Sequence, residues 1–260
     1  MASSSGPAWR ARLIGIAALF LAMSALAPGS AAGASPQGGS ETFDVYRPGV
    51  YSEQATWAWC TAASVQIIRN ILFGGTDQSS AQQRQFFDYM RTSNRYQRVG
   101  QRGVDPQGFL AGLRHFVDPG YTLVASPTFD AAVRSAVTRL RLTGEPVVLI
   151  VAAGRHAWVL TGFTATADPA RTTSFQVISV RVVGPLYGRQ SINGYDSPPD
   201  TSLSYTALRR FLLPYRFPFG VTPWTGRYLT FQSIPTRGAR TRGPLAVKGS
   251  ISPIRGLRHR

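Results

Sequence analysis

The sequence predicts an α+β domain in which a helical half comes before a strand-rich half. Apolar residues recur at helical spacing in several segments between Cys60 and about residue 142. From Pro146 onward the apolar runs have strand length, which predicts an antiparallel sheet with strands at 146–153, 156–164, 174–183 and 227–234. With 260 residues, of which 43% are hydrophobic, the chain is long enough for one well-filled domain with tails.

Four segments of the first half carry the helical pattern. The first begins at Cys60 and ends before Gly74, and the second runs from Gln82 to Arg91 after a capping run that starts at Asp77. A third, helix-like run covers 106–116. The fourth has one apolar face and is expected to bury it, with apolar residues at positions 129, 132, 133, 136, 137 and 140.

The two ends of the chain are expected to lie outside the folded domain. Residues 1–34 have the charged start, the apolar core of fifteen residues and the small residues near Ala32 or Ala34 that are typical of a cleaved secretory signal. A flexible leader is expected at 35–43, the domain at 44–235 and a disordered basic tail at 236–260. The apolar core is too short for a membrane span, so we expect a secreted protein that is not an integral membrane protein.

The chain is strongly basic, with a formal net charge of +16. Almost all of the positive charge comes from arginine, since Lys248 is the only lysine. This charge favours an anionic partner, such as a cell-surface polymer bound through the C-terminal tail, but it equally fits a compositional bias towards arginine and a merely solvated tail. No specific binding of nucleic acid is predicted.

The chain contains one cysteine, Cys60, which therefore cannot form an internal disulfide. Burial, pairing between chains or reactivity would each explain a lone thiol in an exported protein. Reactivity is favoured because Cys60 is placed at a helix start, where unpaired backbone N–H groups and the helix dipole favour the nucleophilic thiolate. Six residues upstream, Gln54 can fold back and offer its side-chain amide to an oxyanion.

A cysteine nucleophile needs a base, and the chain offers three histidines. His259 lies in the basic tail, and His115 falls in a helix-like run where a surface or half-buried role is simplest. His156 follows a Gly-Arg turn between two apolar runs of strand length, so it is expected to begin the second strand of a hairpin. An imidazole there can take the thiol proton and later give it to a leaving group.

The order of these motifs resembles that of the papain-like cysteine peptidases, in the short bacterial branch that includes bacteriocin-leader-cleaving and secreted effector peptidases. The resemblance depends on Gln54, on Cys60 at a helix start and on the distant Gly154-Arg-His-Ala-Trp-Val-Leu-Thr-Gly162 strand. The segments 103–108 and 144–150 resemble further parts of that branch, and the match covers roughly residues 45 to 232.

This resemblance implies a fold in which an N-terminal helical half, with the nucleophile helix, packs on a C-terminal antiparallel sheet. It also implies a secreted thiol hydrolase that cleaves peptide bonds of a peptide or protein substrate. In that mechanism Cys60 attacks the carbonyl, His156 acts as base and then as acid, and Gln54 helps to hold the oxyanion.

The chain departs from the family's pattern at two places. Thr61 follows the cysteine, where family members usually carry Trp. The Asp or Asn that orients the histidine normally begins the turn after the next strand, and in this chain Gly184 occupies that position. The alternatives are that Asp168, Asn193 or Asp196 replaces it from a loop, that a Cys-His pair acts alone, or that catalysis is lost.

Two other functions stay open at this stage. A catalytically inactive domain of the same fold would bind an anionic cell-wall polymer or a protein partner through its basic surface. An acyltransferase of transglutaminase-like type would share the order of cysteine and histidine and transfer the acyl group to an amine. No metal or cofactor is implied, because the sequence has no Cys/His cluster with ligand spacing.

Overall fold

A seven-stranded antiparallel sheet is the framework of the protein in a computed structural model, which describes residues 39–96, 102–189, 196–216 and 220–234. Its strands are β1 (Glu41–Asp44), β2 (Tyr121–Ser126), β3 (Val147–Val151), β4 (His156–Ala165), β5 (Val177–Val183), β6 (Thr201–Ser204) and β7 (Tyr228–Ser233). The expected export signal and the basic tail lie outside the described residues.

Five helices accompany the sheet in the described part of the chain. They are α1 (Cys60–Phe73), α2 (Ser80–Thr92), α3 (Pro106–Phe116), α4 (Phe129–Thr143) and the single turn α5 (Tyr205–Leu208). The predicted α+β class is therefore confirmed. None of these helices has the length and the apolar composition that crossing a membrane would require.

The sheet has the strand order β2-β7-β3-β4-β5-β6, and every pair of neighbours is antiparallel. The first half of β4 pairs with β3, and β1 pairs with the second half of β4, from Gly162 to Ala165. In the hairpin of β3 and β4, Val151 lies opposite His156. The start of β4 therefore lies at one end of the sheet.

Alternate residues of the central strands enter two different apolar clusters, because successive side chains of a strand point to opposite faces. Val148 and Ile150 of β3 belong to the cluster that contains the buried residues of α1, α2 and α3. Val147, Leu149 and Val151 belong to the cluster that contains α4. The sheet thus lies between two helical layers, and the runs of apolar residues in β3 and β4 reflect burial on both faces.

The nucleophile helix predicted at Cys60 is α1, which is buried along most of its length. Its C-terminal cap is Gly74, whose φ of 76° is a left-handed conformation that glycine adopts readily. The fourth predicted helix is α4, and the six positions expected to form its buried face are the six that are buried. Spacing of apolar residues was a sufficient signal for both helices.

The expected separation into a helical half and a strand half is wrong at several points. The strand β2 lies between α3 and α4 and pairs with the last strand, β7. The strand β1 begins at Glu41, within the segment expected to be a loose leader, because it finds a partner in β4. The segment 201–208 lies outside the four predicted strands and forms the strand β6 followed by the single turn α5.

The packing of α3 against α2 gives a matched test of the fold. A Cβ on Gly108 would lie 2.4 Å from the backbone oxygen of Met90, whereas a Cβ on Gly112 would meet only the flexible Met90 side chain, at 2.3 Å. Both alanine substitutions gain helix propensity equally. We expect Gly108→Ala to lower the free energy of unfolding by roughly 1–3 kcal/mol more than Gly112→Ala, as measured by urea denaturation. Equal effects of the two substitutions would contradict this packing.

Candidate active site

Cys60 is the first residue of α1, and its side chain is half-buried. The N-cap residue, Trp59, makes no side-chain cap hydrogen bond, and the first turn carries no acidic residue. The other four α-helices of the described residues begin with a side-chain cap, from Ser79, Asp105, Thr128 and Ser204. The N–H groups at the start of α1 therefore have no side-chain acceptor beside the sulfur, and a helix start of this kind favours negative charge.

Of the two histidines that the structure describes, His156 is the one beside the thiol. Both residues line the same cleft, and the thiol is among the groups that raise the pKa of the His156 imidazole. The Nε2 atom lies 2.9 and 3.1 Å from the two carboxylate oxygens of Asp196, which leaves Nδ1 as the nitrogen that faces the sulfur. By contrast, His115 is exposed on α3 and stacks on Tyr89, with 4.3 Å between the ring centroids. His259 lies outside the described residues.

The Asp196 side chain is completely buried and accepts several hydrogen bonds. Besides His156, its donors are the indole Nε1 of Trp158, at 2.5 Å, and the backbone N–H of Leu186, at 2.5 Å. Trp158 follows His156 by two residues in β4, so both side chains share one face of the strand. A single carboxylate therefore fixes two side chains of β4 and the turn after β5, and these donors compensate its burial.

Asp196 lies where a side chain of residue 184 would be. A Cβ built on Gly184 would lie 2.3 Å from Cγ of Asp196. The glycine at the expected carboxylate position thus leaves space for a carboxylate that comes from a loop. Of the other two candidates, Asp168 forms an ion pair with Arg141 at 2.9 Å, and Asn193 lies outside the described residues.

The environment of His156 favours the imidazolium form. Burial lowers the pKa of His156, but its hydrogen bonds to Asp196 and Cys60, together with the charges of both groups, outweigh burial and raise the pKa from 6.5 to about 9. The ring is therefore largely protonated at neutral pH. A protonated imidazole beside a thiol can stabilise negative charge on sulfur and can also serve as a proton donor.

Gln54 is close in sequence to this pair, but its side chain is held inside the loop. The residue is fully buried, and its amide nitrogen donates to the backbone oxygen of Thr56 at 2.8 Å. Gln54 does not line the cleft at Cys60, and its Oε1 has no hydrogen-bond partner within the described part of the chain. The structure thus brings Cys60 and His156 together, while one N–H of the Gln54 amide points to a backbone acceptor.

A buried polar network fixes the loop that precedes Cys60. The side chains of Ser52, Gln66 and Gln83 are fully buried and lie within hydrogen-bonding distance of one another, at 2.6 to 3.0 Å. The oxygen of the Gln83 side chain also accepts the N–H of Ala55 at 2.8 Å. Polar residues of helices are usually exposed, so helical spacing gave no signal that Gln83 positions this loop.

Arg189, which follows β5 in the sequence, also holds the loop that precedes Cys60. Its guanidinium donates to the backbone oxygen of Gln54 at 2.9 Å and to that of Ala55 at 2.7 Å, and it forms an ion pair with Glu53 at 3.2 Å. The N–H of Gln54 donates to the backbone oxygen of Pro185 at 2.8 Å. The loop before Cys60 is therefore tied to Pro185 and Arg189, which flank Leu186, a backbone donor to Asp196.

A cleft of about 500 Å³ lies over the pair of Cys60 and His156. Its walls include apolar side chains, among them Phe109 and Ile150, and the ring of Tyr215. Among the described residues there is no cluster of three or more His, Cys, Asp or Glu side chains that would bind a metal ion. The cleft thus offers a thiol, an imidazole and the backbone N–H groups of a helix start for covalent chemistry, and Arg102, Arg155 and Arg216 also line it.

A comparison with protein-family models finds no model that matches this chain, and a comparison with curated proteins finds no match either. The function is therefore inferred from the geometry of Cys60, His156 and Asp196 and from the motifs that hold them.

The raised pKa of His156 makes the stability of the protein depend on pH. Because the folded-state pKa is about 9 and the ordinary value is 6.5, the imidazolium stabilises the fold fully below about pH 6.5 and loses this contribution as pH rises through about 9. The contribution is on the order of 3 kcal/mol. We expect Asp196→Asn to lose much less stability than the wild type between about pH 6 and about pH 9.5. Urea denaturation at both pH values measures this difference, and equal losses would contradict the role of Asp196.

The shared space of Gly184 and Asp196 predicts strong coupling between substitutions at the two positions. Gly184→Ala is expected to lower the free energy of unfolding by about 2 kcal/mol, because its Cβ would collide with a buried carboxylate. In an Asp196→Ala background the same substitution is expected to cost under about 0.5 kcal/mol. A double-mutant cycle in urea measures the coupling. Additive effects would show that the carboxylate does not occupy this space.

Proposed function

We propose that the protein is a secreted, papain-like thiol hydrolase that cleaves peptide bonds. The observation that carries this proposal is that one buried imidazole lies beside the Cys60 thiol and is hydrogen-bonded to the buried Asp196 carboxylate, with thiol and imidazole lining one cleft. A cysteine that served only as a small apolar side chain would require neither partner. A nucleophile, a base next to it and a group that orients the base form the arrangement that covalent acyl chemistry needs.

The first half of the reaction forms a thioester. The Cys60 sulfur attacks the carbonyl carbon of the scissile peptide bond, and the negative charge moves to the carbonyl oxygen. The imidazolium of His156 then gives its proton to the leaving nitrogen, the carbon–nitrogen bond breaks and the amine departs. The raised pKa of His156 supports this role, because the proton is in place at neutral pH.

The second half of the reaction regenerates the thiol. Neutral His156 takes a proton from a water molecule, whose oxygen attacks the thioester carbon. The carbon–sulfur bond breaks, the carboxylic acid leaves and the proton returns the pair to its starting state. Asp196 keeps the ring oriented through both halves, because its carboxylate bonds Nε2 and is itself held by Trp158 and Leu186.

Backbone N–H groups at the start of α1 are the natural donors to the oxyanion. The helix lacks a side-chain cap, and Cys60 is its first residue. The proposed second donor is the Gln54 amide, whose loop is held in place by Gln83 and Arg189. One N–H of that amide is bonded to Thr56, and the side chain is buried outside the cleft lining, so the second N–H can reach the oxyanion only after a shift of this loop.

The papain-like assignment is supported by the packing of α1 against the sheet and by the order of the two reactive residues. In the sequence, the lack of a carboxylate at Gly184 was a reason to expect a catalytically inactive domain. Asp196 occupies that space with a carboxylate, so this reason no longer applies. Secretion and a polyanion partner for the basic tail remain predictions from the sequence, since both segments lie outside the described residues.

Hydrolysis of an unfolded, fluorescently labelled protein tests the proposal. We expect Cys60→Ala to abolish turnover and Asp196→Asn to lower kcat/KM roughly 10- to 1,000-fold, because the imidazole loses its orienting charge. Asp168→Asn is the matched control, since that carboxylate pairs with Arg141 and does not line the cleft. Turnover that survives Cys60→Ala would contradict the mechanism. Product that forms only with an added amine would identify a transglutaminase-like acyltransferase instead.

A further inference from the structure

The rim of the cleft over Cys60 carries exposed arginine side chains. Arg102, Arg155 and Arg216 line the cleft and are exposed. The acidic residue among the lining side chains is Asp105, which is 2% exposed. Its two oxygens already accept backbone N–H groups, from Arg95, Tyr96, Gln107 and Gly108. The charge that this cleft presents to a ligand is therefore positive.

Arg155 and Arg216 have no carboxylate partner among the described residues. Among the described residues, the ion pairs use other arginines, such as Arg141 with Asp168 and Arg181 with Asp200. Within the protein, Arg155 donates from Nε to the backbone oxygen of Ala152 at 3.2 Å. The terminal nitrogens of its guanidinium are thus available for a ligand.

A strained turn places Arg155 at this rim. Three successive residues before it have positive φ, namely 51° at Ala152, 55° at Ala153 and 101° at Gly154. Left-handed conformations are costly for alanine and are most often retained where function requires a particular geometry. Since the turn leads directly into His156, the conformation that begins β4 also fixes Arg155 beside the imidazole.

The same turn brings Arg216 to the rim. The N–H of Arg216 donates to the backbone oxygen of Ala153 at 3.1 Å, and the N–H of Ala152 donates to that of Phe211 at 2.9 Å. A Cβ on Gly154 would lie 2.7 Å from the ring of Tyr215, so only glycine permits this close approach. Two arginines far apart in the sequence are therefore held at the turn that precedes His156 by backbone contacts.

We propose that this cleft selects peptides that carry a carboxylate close to the bond that is cleaved. The inference rests on the proposed function, because it assigns a substrate class to the same site. A guanidinium binds a carboxylate through paired hydrogen bonds, and the apolar walls at Phe109 and Ile150 lower the local dielectric and strengthen that attraction. The carboxylate belongs either to an Asp or Glu side chain or to the free C-terminus of a short peptide, and the test distinguishes these sources.

A pair of alkylating reagents measures the charge at Cys60 without any peptide substrate. Iodoacetate and iodoacetamide react in the same way: the sulfur of Cys60 bonds to the CH₂ carbon and iodide leaves, so the reagents differ essentially in charge. We expect the ratio of the iodoacetate rate to the iodoacetamide rate to fall roughly three- to tenfold in Arg155→Gln and in Arg216→Gln. Arg155→Lys, which keeps the charge, is expected to retain most of the ratio.

Arg210→Gln is the matched control for these variants. Arg210 is exposed and lies between α5 and Arg216 in the sequence, but it does not line the cleft. Its ratio of alkylation rates is expected to equal that of the wild type. Equal ratios in Arg155→Gln, Arg216→Gln and the wild type would overturn the inference, even if the protein proved to be a peptidase.

Matched peptides then identify the source of the carboxylate. Peptides that differ only in Asp against Asn, or Glu against Gln, near the scissile bond report on a side chain, and peptides with a free or an amidated C-terminus report on a terminal carboxylate. We expect at least one charged member to be cleaved with roughly tenfold higher kcat/KM than its neutral partner, and the preference to shrink in Arg155→Gln and at high salt. Cleavage without any preference for charge overturns the inference, whereas a charge-dependent alkylation ratio without cleavage overturns the proposed function.

Discussion

The hydrogen bonds of the buried Asp196 carboxylate are the interaction on which the rest of the site depends. They join the imidazole of His156 and the indole of Trp158, which share a face of β4, to the backbone of Leu186 after β5. A buried carboxylate is costly unless its oxygens are satisfied, so the donors and the acceptor hold one another in place. The orientation of His156 towards Cys60 follows from this arrangement and not from the strand alone.

Around this contact, two local features that are unfavourable for stability lie next to the reactive groups. The helix α1 begins without the side-chain cap that the other four described α-helices possess, and the turn before His156 contains two alanines with positive φ. The loop before Cys60 is stiffened by the buried Gln83 and by Arg189. Helix capping and backbone conformation follow the usual preferences in the framework and depart from them at the site. Such departures are expected at functional sites.

The framework could be predicted from sequence because its signals are local. Apolar spacing predicted the buried face of α4, and the two apolar runs around the Gly-Arg turn predicted the hairpin that places His156. Asp196 could be named only as one of three candidates, because its position depends on the path of a loop, and β2 was missed because its partner, β7, lies near the other end of the domain. Gln83 gave no signal, since a polar residue in a helix is usually at the surface.

The charge state of His156 is the property that links fold to chemistry, and an NMR titration of its ring measures that state directly. The Cε1–H resonance can be assigned by comparison with a His156→Gln protein, which separates it from those of His115 and His259. If Asp196 and Cys60 hold the imidazole as described, His156 titrates with a pKa of about 9. A ring that titrates near its ordinary value of 6.5 would contradict the contact between the three residues.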